Sequence, residues 1–163
     1  MSFCSVTMAK TNSLDDRLKE LGITLPELPT PMANYVPYTR TGNLLFLSGQ
    51  GPRIGDKEFK TGKVGLSVTA EEAYQHARLS GIQLLSAARH ALGDLGRVRR
   101  VVKLLGLVNA TPEFDKQPQV INGCSDLFVE VFGESGRHAR SAVGAGSLPG
   151  NITVEVEAIF EVE

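Results

Sequence analysis

The chain has 163 residues, 42% hydrophobic and 21% charged, enough for one globular domain with a real core. Its net charge of −1 gives no general attraction to nucleic acid or to an anionic membrane. No apolar run approaches the roughly 20 residues that span a bilayer. Cys4 and Cys124 stand far apart, without metal-ligand spacing, which excludes a disulfide framework and makes a reducing, cytoplasmic setting the expectation. The first eight residues lack a basic segment followed by a long apolar core, so no signal peptide is expected.

In chain order, residues 1–13 read as a loose tail. A short helix is predicted from Leu14 to Leu21, with Ser13 as N-cap and Gly22 just past the end. Pro26, Pro29 and Pro31 make an extended arm that cannot be helical. The arm closes a first segment, 1–32, and one domain is expected over 33–163. Residues 34–40 read as a strand in which Pro37 demands an edge position or a bulge. Leu44-Leu45-Phe46-Leu47 is a buried strand ending at Ser48-Gly49-Gln50-Gly51-Pro52. Residues 51–68 form a loop with short strand pieces. Thr69, with Glu72 three residues on, is a capping box that opens a long helix to Leu92, stopped by Gly93. Arg97 to Asn109 is a Val- and Leu-rich strand, and a second long helix runs from Pro118 to Phe132.

The C-terminal alternating runs, His138 to Val143 and Ile152 to Glu157, flank Leu148-Pro149-Gly150-Asn151 and read as a β-hairpin. A turn centred near 148 and 149 sets Ala142 opposite Glu155 and Arg140 opposite Glu157. Strand parity then puts these four on one face, and Ile152, Val154, Val156 and Phe160 on the apolar other. The order β-β-α-β-α-β-β implies an α+β layer, one mixed sheet with two long helices on one face.

Few candidate sites survive their context. Ser48-Gly49-Gln50-Gly51 follows a strand but opens no helix, so the dinucleotide motif fails and a strand-ending turn is the favoured reading. His76 and His90 lie fourteen residues apart on one helix, and no carboxylate–histidine cluster supports a metal. His76, His90 and His138 read as surface or satisfied histidines, and Cys124 as a buried inert thiol. The basic run Arg97 to Lys103 has no aromatic interleaving and reads as a solvated strand start, weak ground for RNA binding. Arg140 differs. It opens an apolar, small-residue strand where a cation is costly to bury alone. Its planar fork suits a carboxylate ligand, and an ion pair with Glu155 or Glu157 would satisfy it equally well.

Several segments match a known pattern in order. They are Arg140-Ser141-Ala142-Val143-Gly144-Ala145-Gly146-Ser147-Leu148 with Glu155 fifteen residues after Arg140, Tyr35 with Gly42-Asn43 and Leu47-Ser48-Gly49-Gln50, and Asn122 on the second helix. Over residues 33 to 162 the chain resembles the Rid/YjgF family, the reactive-intermediate deaminases once labelled endoribonuclease L-PSP. Its longer arm and the run Asn122 to Leu127 resemble a longer-chain subgroup.

The resemblance implies a chorismate-mutase-like α+β fold, a homotrimer whose sheets line a central barrel, and ligand sites in clefts between subunits. It implies hydrolysis of 2-imino or enamine acids to 2-oxo acids and ammonia, with neither metal nor cofactor. By that likeness Arg140 clamps the substrate carboxylate and Glu155 activates water. Ser48-Gly49 and Asn122 orient the substrate, and Tyr35 of a neighbouring subunit closes the site. Two positions depart from the family pattern. Ala142 stands where many members carry cysteine, and His138 where proline is usual. Ala142 therefore keeps a second reading open, a non-catalytic trimer that binds 2-oxo acids. An RNA-cleaving protein is a third, which the near-neutral charge disfavours.

Overall fold

A computed structural model describes residues 13–31 and 33–163. The expected tail and Cys4 fall almost wholly outside the described residues. Helix α1 spans Leu14–Glu20, with the Ser13 hydroxyl accepting from the Asp16 N–H at 3.2 Å and Asp15 and Asp16 in its first turn. Leu18 and Leu25 carry the arm into the common core. The buried Arg53 guanidinium fastens it, bonding the Glu27 carbonyl at 2.7 Å and the Gln83 side chain at 2.9 and 3.1 Å.

Strands β1 (Tyr38–Thr41) and β2 (Leu44–Gln50) form an antiparallel pair. The strand predicted from residue 34 begins only at Tyr38, because Pro37 has no N–H to give a ladder. The following loop holds the small hairpin β3 (Arg53–Ile54) and β4 (Glu58–Phe59). Helix α2 (Ala70–Leu92) starts on the predicted capping box and stops at Gly93, whose φ of +78° is left-handed. Then come β5 (Val98–Asn109), α3 (Gln117–Phe132), β6 (Ala139–Ala145) and β7 (Val154–Val162).

The sheet order is β1-β2-β7-β5-β6, with β5 and β6 parallel and the other pairs antiparallel. The mixed sheet with α2 and α3 on one face agrees with the sequence reading. Val154, Val156, Ala158, Phe160 and Val162 of β7 are all buried beneath the helices. Among the described residues the opposite face carries no helix, and there Phe46 (39% exposed) and Val143 (46% exposed) lie open. No described helix is long and apolar enough to cross a membrane.

The C-terminal hairpin is not what the chain forms. β5 lies between β6 and β7, so the two predicted partners never pair. β7 takes a central place with neighbours on both sides, its alternation burying one face, and the short, small-residue β6 takes the edge. The connection between them crosses the end of β5. There buried Asn109 bonds the Gly62 carbonyl and Asn151 Oδ1, both at 3.1 Å, and receives Lys63 at 2.8 Å.

The shared face is corrected with the pairing. Row by row, Glu155 aligns with Leu107 and Val143, and Glu157 with Leu105 and Ser141, on the open face. Arg140 aligns with Leu104 and Ala158, and Ala142 with Gly106 and Val156, on the helix face. Ala142 therefore does not face Glu155, and Arg140 pairs with neither glutamate.

Candidate active site

Two clusters emerge, one on each side of the sheet. The first surrounds Arg140 at the edge strand. Asn122 and Ser125 lie three residues apart on α3, one helical turn, and so point the same way. Arg140 Nη1 donates to Asn122 Oδ1 at 2.7 Å and to Ser125 Oγ at 3.0 Å. Nη1 is thereby saturated. Nε and both protons of Nη2 have no acceptor among the described residues, and no ion pair there includes Arg140. A partly buried guanidinium keeps one two-proton edge in hand, the geometry that receives a carboxylate at two points.

Close helix packing sets α3 in place. A Cβ on Gly123 would overlap the Tyr74 carbonyl oxygen of α2. Tyr74 donates to Asp126 at 2.7 Å, and that bond is the main reason its phenol is pushed up to about 12. Cys124 is fully buried beside Gly81. Burial drives its thiol up, against the opposing pull of Arg140, so it stays protonated and inert as expected.

The second cluster surrounds Glu155 on the open face. A Cβ on Gly49 would stand 2.6 Å from Glu155 Oε1, so the missing side chain is what admits the carboxylate beside β2. Burial first and Glu157 second raise the Glu155 pKa above the ordinary carboxylate value. Ser48 spends both donors inward: its N–H bonds the Pro37 carbonyl at 3.0 Å and its hydroxyl the Val36 carbonyl at 2.6 Å. It thus holds the segment of Tyr35, which is 59% exposed, alongside Gly49.

Within one chain the clusters stand apart. Glu155 lies two strands from β6 and level with Val143, three residues beyond Arg140. At ordinary strand spacing and rise the two Cα atoms are about 14 Å apart, with side chains on opposite faces. One small molecule cannot touch both.

Sequence reasoning missed Ser125. His138 Nε2 lies 2.9 Å from Ser125 Oγ and His138 Nδ1 2.6 Å from the Gly136 carbonyl. The available signal was helical spacing, since Ser125 follows Asn122 by one turn. Of the other histidines, His76 meets Thr153 at 2.9 Å and His90 meets Tyr38 at 2.8 Å, both satisfied as expected. Arg99 and Arg100 are exposed at the start of β5, the solvated reading of the basic run.

Comparison with known proteins agrees with this architecture. Residues 15–161 match the family described as "YjgF/chorismate_mutase-like, putative endoribonuclease". Protein TCP17 of Trypanosoma cruzi is 47% identical over 146 residues, covering 89% of this chain and 91% of that one. A 2-iminobutanoate/2-iminopropanoate deaminase of Dermatophagoides farinae is 28% identical over 142 residues, covering 86% and 95%. The crystal structure of Atu1372 from Agrobacterium tumefaciens, a protein of unknown function, superposes with a TM-score of 0.86 at 49% identity, over 93% and 94% of the two chains. With the family pattern matched across nearly its whole length and the fold shared, this chain belongs to the Rid/YjgF family.

Proposed function

We propose that this protein hydrolyses 2-imino acids, or their enamine tautomers, to 2-oxo acids and ammonia. The observation that carries the reading is Arg140, a partly buried cation with one edge fixed by Asn122 and Ser125 and the other edge open. The relative from Dermatophagoides farinae is named for this reaction, which supports it at family level. Because Arg140 and Glu155 are too far apart in one chain, the site combines the Arg140 cluster of one copy with the Glu155 cluster of the next. The exposed sheet face, with Phe46 and Val143, is the surface on which copies meet, three sheets around a barrel.

The chemistry asks little of the protein. The substrate carboxylate takes the open edge of Arg140. The protonated imine carbon is already electrophilic, so positioning a water against it supplies most of the effect. Glu155, with its raised pKa, removes a proton from that water as its oxygen bonds to carbon, giving a carbinolamine. The same carboxyl returns the proton to nitrogen. As the C–N bond breaks and ammonia leaves, the now ionised Glu155 takes the hydroxyl proton and the carbonyl forms, the net reaction giving the 2-oxo acid and ammonium. Tyr35, on its tethered segment, covers the cleft.

The test adds the protein to a pyridoxal-phosphate amino-acid dehydratase and follows 2-oxo acid release. Acceleration by the wild type, lost in Arg140→Ala, is expected. A lack of acceleration with every small imino acid tried would refute the reaction. Ala142 favours one second reading, a carboxylate-binding protein without turnover. Arg140-dependent binding of a 2-oxo acid with no hydrolysis would select it.

A further inference from the structure

The side chains behind Arg140 form a chain of hydrogen bonds that, with a neutral imidazole, has one consistent proton arrangement. The Gly136 carbonyl can only accept, so His138 Nδ1, at 2.6 Å, carries a proton. In the neutral ring Nε2 is then an acceptor. Arg140 Nη1 can only donate, so Ser125 Oγ offers it a lone pair and directs its single proton to Nε2 at 2.9 Å. The sequence runs Gly136 carbonyl, imidazole, hydroxyl, guanidinium, each group fixing the next.

We propose that His138 and Ser125 are positioning residues for Arg140. The imidazole commits the Ser125 proton, and the hydroxyl lone pair locks Nη1 and turns the Nε/Nη2 edge outward as a two-point fork for an α-keto or α-imino carboxylate. The inference rests on the reading of Arg140 as a carboxylate clamp and specifies what sets its aim.

The surroundings support a neutral ring. From α3 it meets Ser125 and the edge of the Phe128 ring, with centroids 6.2 Å apart. Among the described residues of the turn before β6 it meets the Gly136 carbonyl, and the charge facing it is that of Arg140. Lys103 of β5 is on the opposite face, reaching Ser141. Burial lowers the His138 pKa, and Arg140 lowers it further against the opposing Gly136 bond.

The device also explains two residues that otherwise look incidental. His138 and Ser125 sit on different elements, and neither reaches the open edge of Arg140. Without the imidazole, the Ser125 hydroxyl could rotate its proton toward the guanidinium, and Nη1 would lose a partner.

Calorimetric titration with 2-oxobutanoate provides the test, on wild type, Ser125→Ala, His138→Leu, His138→Gln and the Ser125→Ala/His138→Leu double variant. Each single loss should weaken binding about tenfold, the scale of one charge-assisted hydrogen bond. The double variant should be no worse than either single one, because both break the same chain. His138→Gln, whose Oε1 can replace Nε2 as acceptor, should restore most of the affinity. In turnover the singles should raise KM and leave kcat within about twofold. Nitrogen NMR should find the His138 ring protonated on Nδ1. Wild-type binding that needs Arg140 but is unchanged in the singles would overturn the inference alone. No wild-type binding would overturn it together with the clamp. A ring protonated on Nε2 would overturn the proton arrangement directly, whether or not a variant folds poorly.

Discussion

Gly49 is where the absence of a side chain makes room for a carboxylate. Its bare Cα lets the Glu155 carboxylate lie against β2, and a methyl there would come within 2.6 Å of Oε1. The atom displaced is the far end of a flexible side chain, so the backbone need not move. Gly49→Ala should therefore keep Tm within a few degrees while pushing Glu155, the proposed general base, off its water. A misplacement of about 1 Å can cost on the order of a hundredfold in rate. We expect kcat to fall tenfold to a hundredfold and 2-oxo acid affinity, which the proposal assigns to Arg140, to hold. Steady-state kinetics with a dehydratase-generated imine would decide it, and an unchanged kcat would remove Glu155 from the water's path.

At the scale of elements, α2 and α3 approach each other closely at Gly123. A Cβ at Gly123 would overlap the Tyr74 carbonyl oxygen, an atom of a helix backbone that cannot step aside. Gly123→Ala should part the helices and destabilise the protein by about 1–3 kcal/mol, the range of overpacking changes. Asn122 would move with α3, so Arg140-dependent binding should fall too. Urea unfolding alongside calorimetry checks both, and full stability would mean that the helices slide apart at little cost. Local signals made these elements legible: the Thr69–Glu72 capping box, Gly93, and the alternation of Val154, Val156 and Phe160 each follow from nearest neighbours in the chain. The order of strands does not. Nothing between Ala145 and Val154 says that β5 will be inserted between β6 and β7, because that choice is made by burial across the whole sheet. The hairpin reading therefore put Arg140 and Glu155 on one face, and Ser125 went unnoticed because its partners are far from it in sequence.

Across the whole molecule, the separation of Arg140 from Glu155 has a consequence that can be counted. Suppose copies associate so that each site takes Arg140 from one chain and Glu155 from the next. Arg140→Ala and Glu155→Gln chains should each then be inactive alone. Co-expressed in equal amounts with different tags, they form mixed assemblies. A site is intact only when its Arg140-bearing chain is the Glu155→Gln variant and its Glu155-bearing chain is the Arg140→Ala variant. In a cyclic trimer with random mixing, each condition is met half the time, so about a quarter of the sites, and of wild-type turnover, should return. The open sheet face predicts how to abolish this. A charge on Phe46, already 39% exposed in one chain, would be trapped where copies meet. Phe46→Asp introduced into both variants should leave monomers in sedimentation and no recovered turnover. If mixed assemblies, proven by tandem tag purification, stay inactive, both groups must serve from one chain. The sheet geometry forbids that for a small substrate, so the joint role of Arg140 and Glu155 would fall with it.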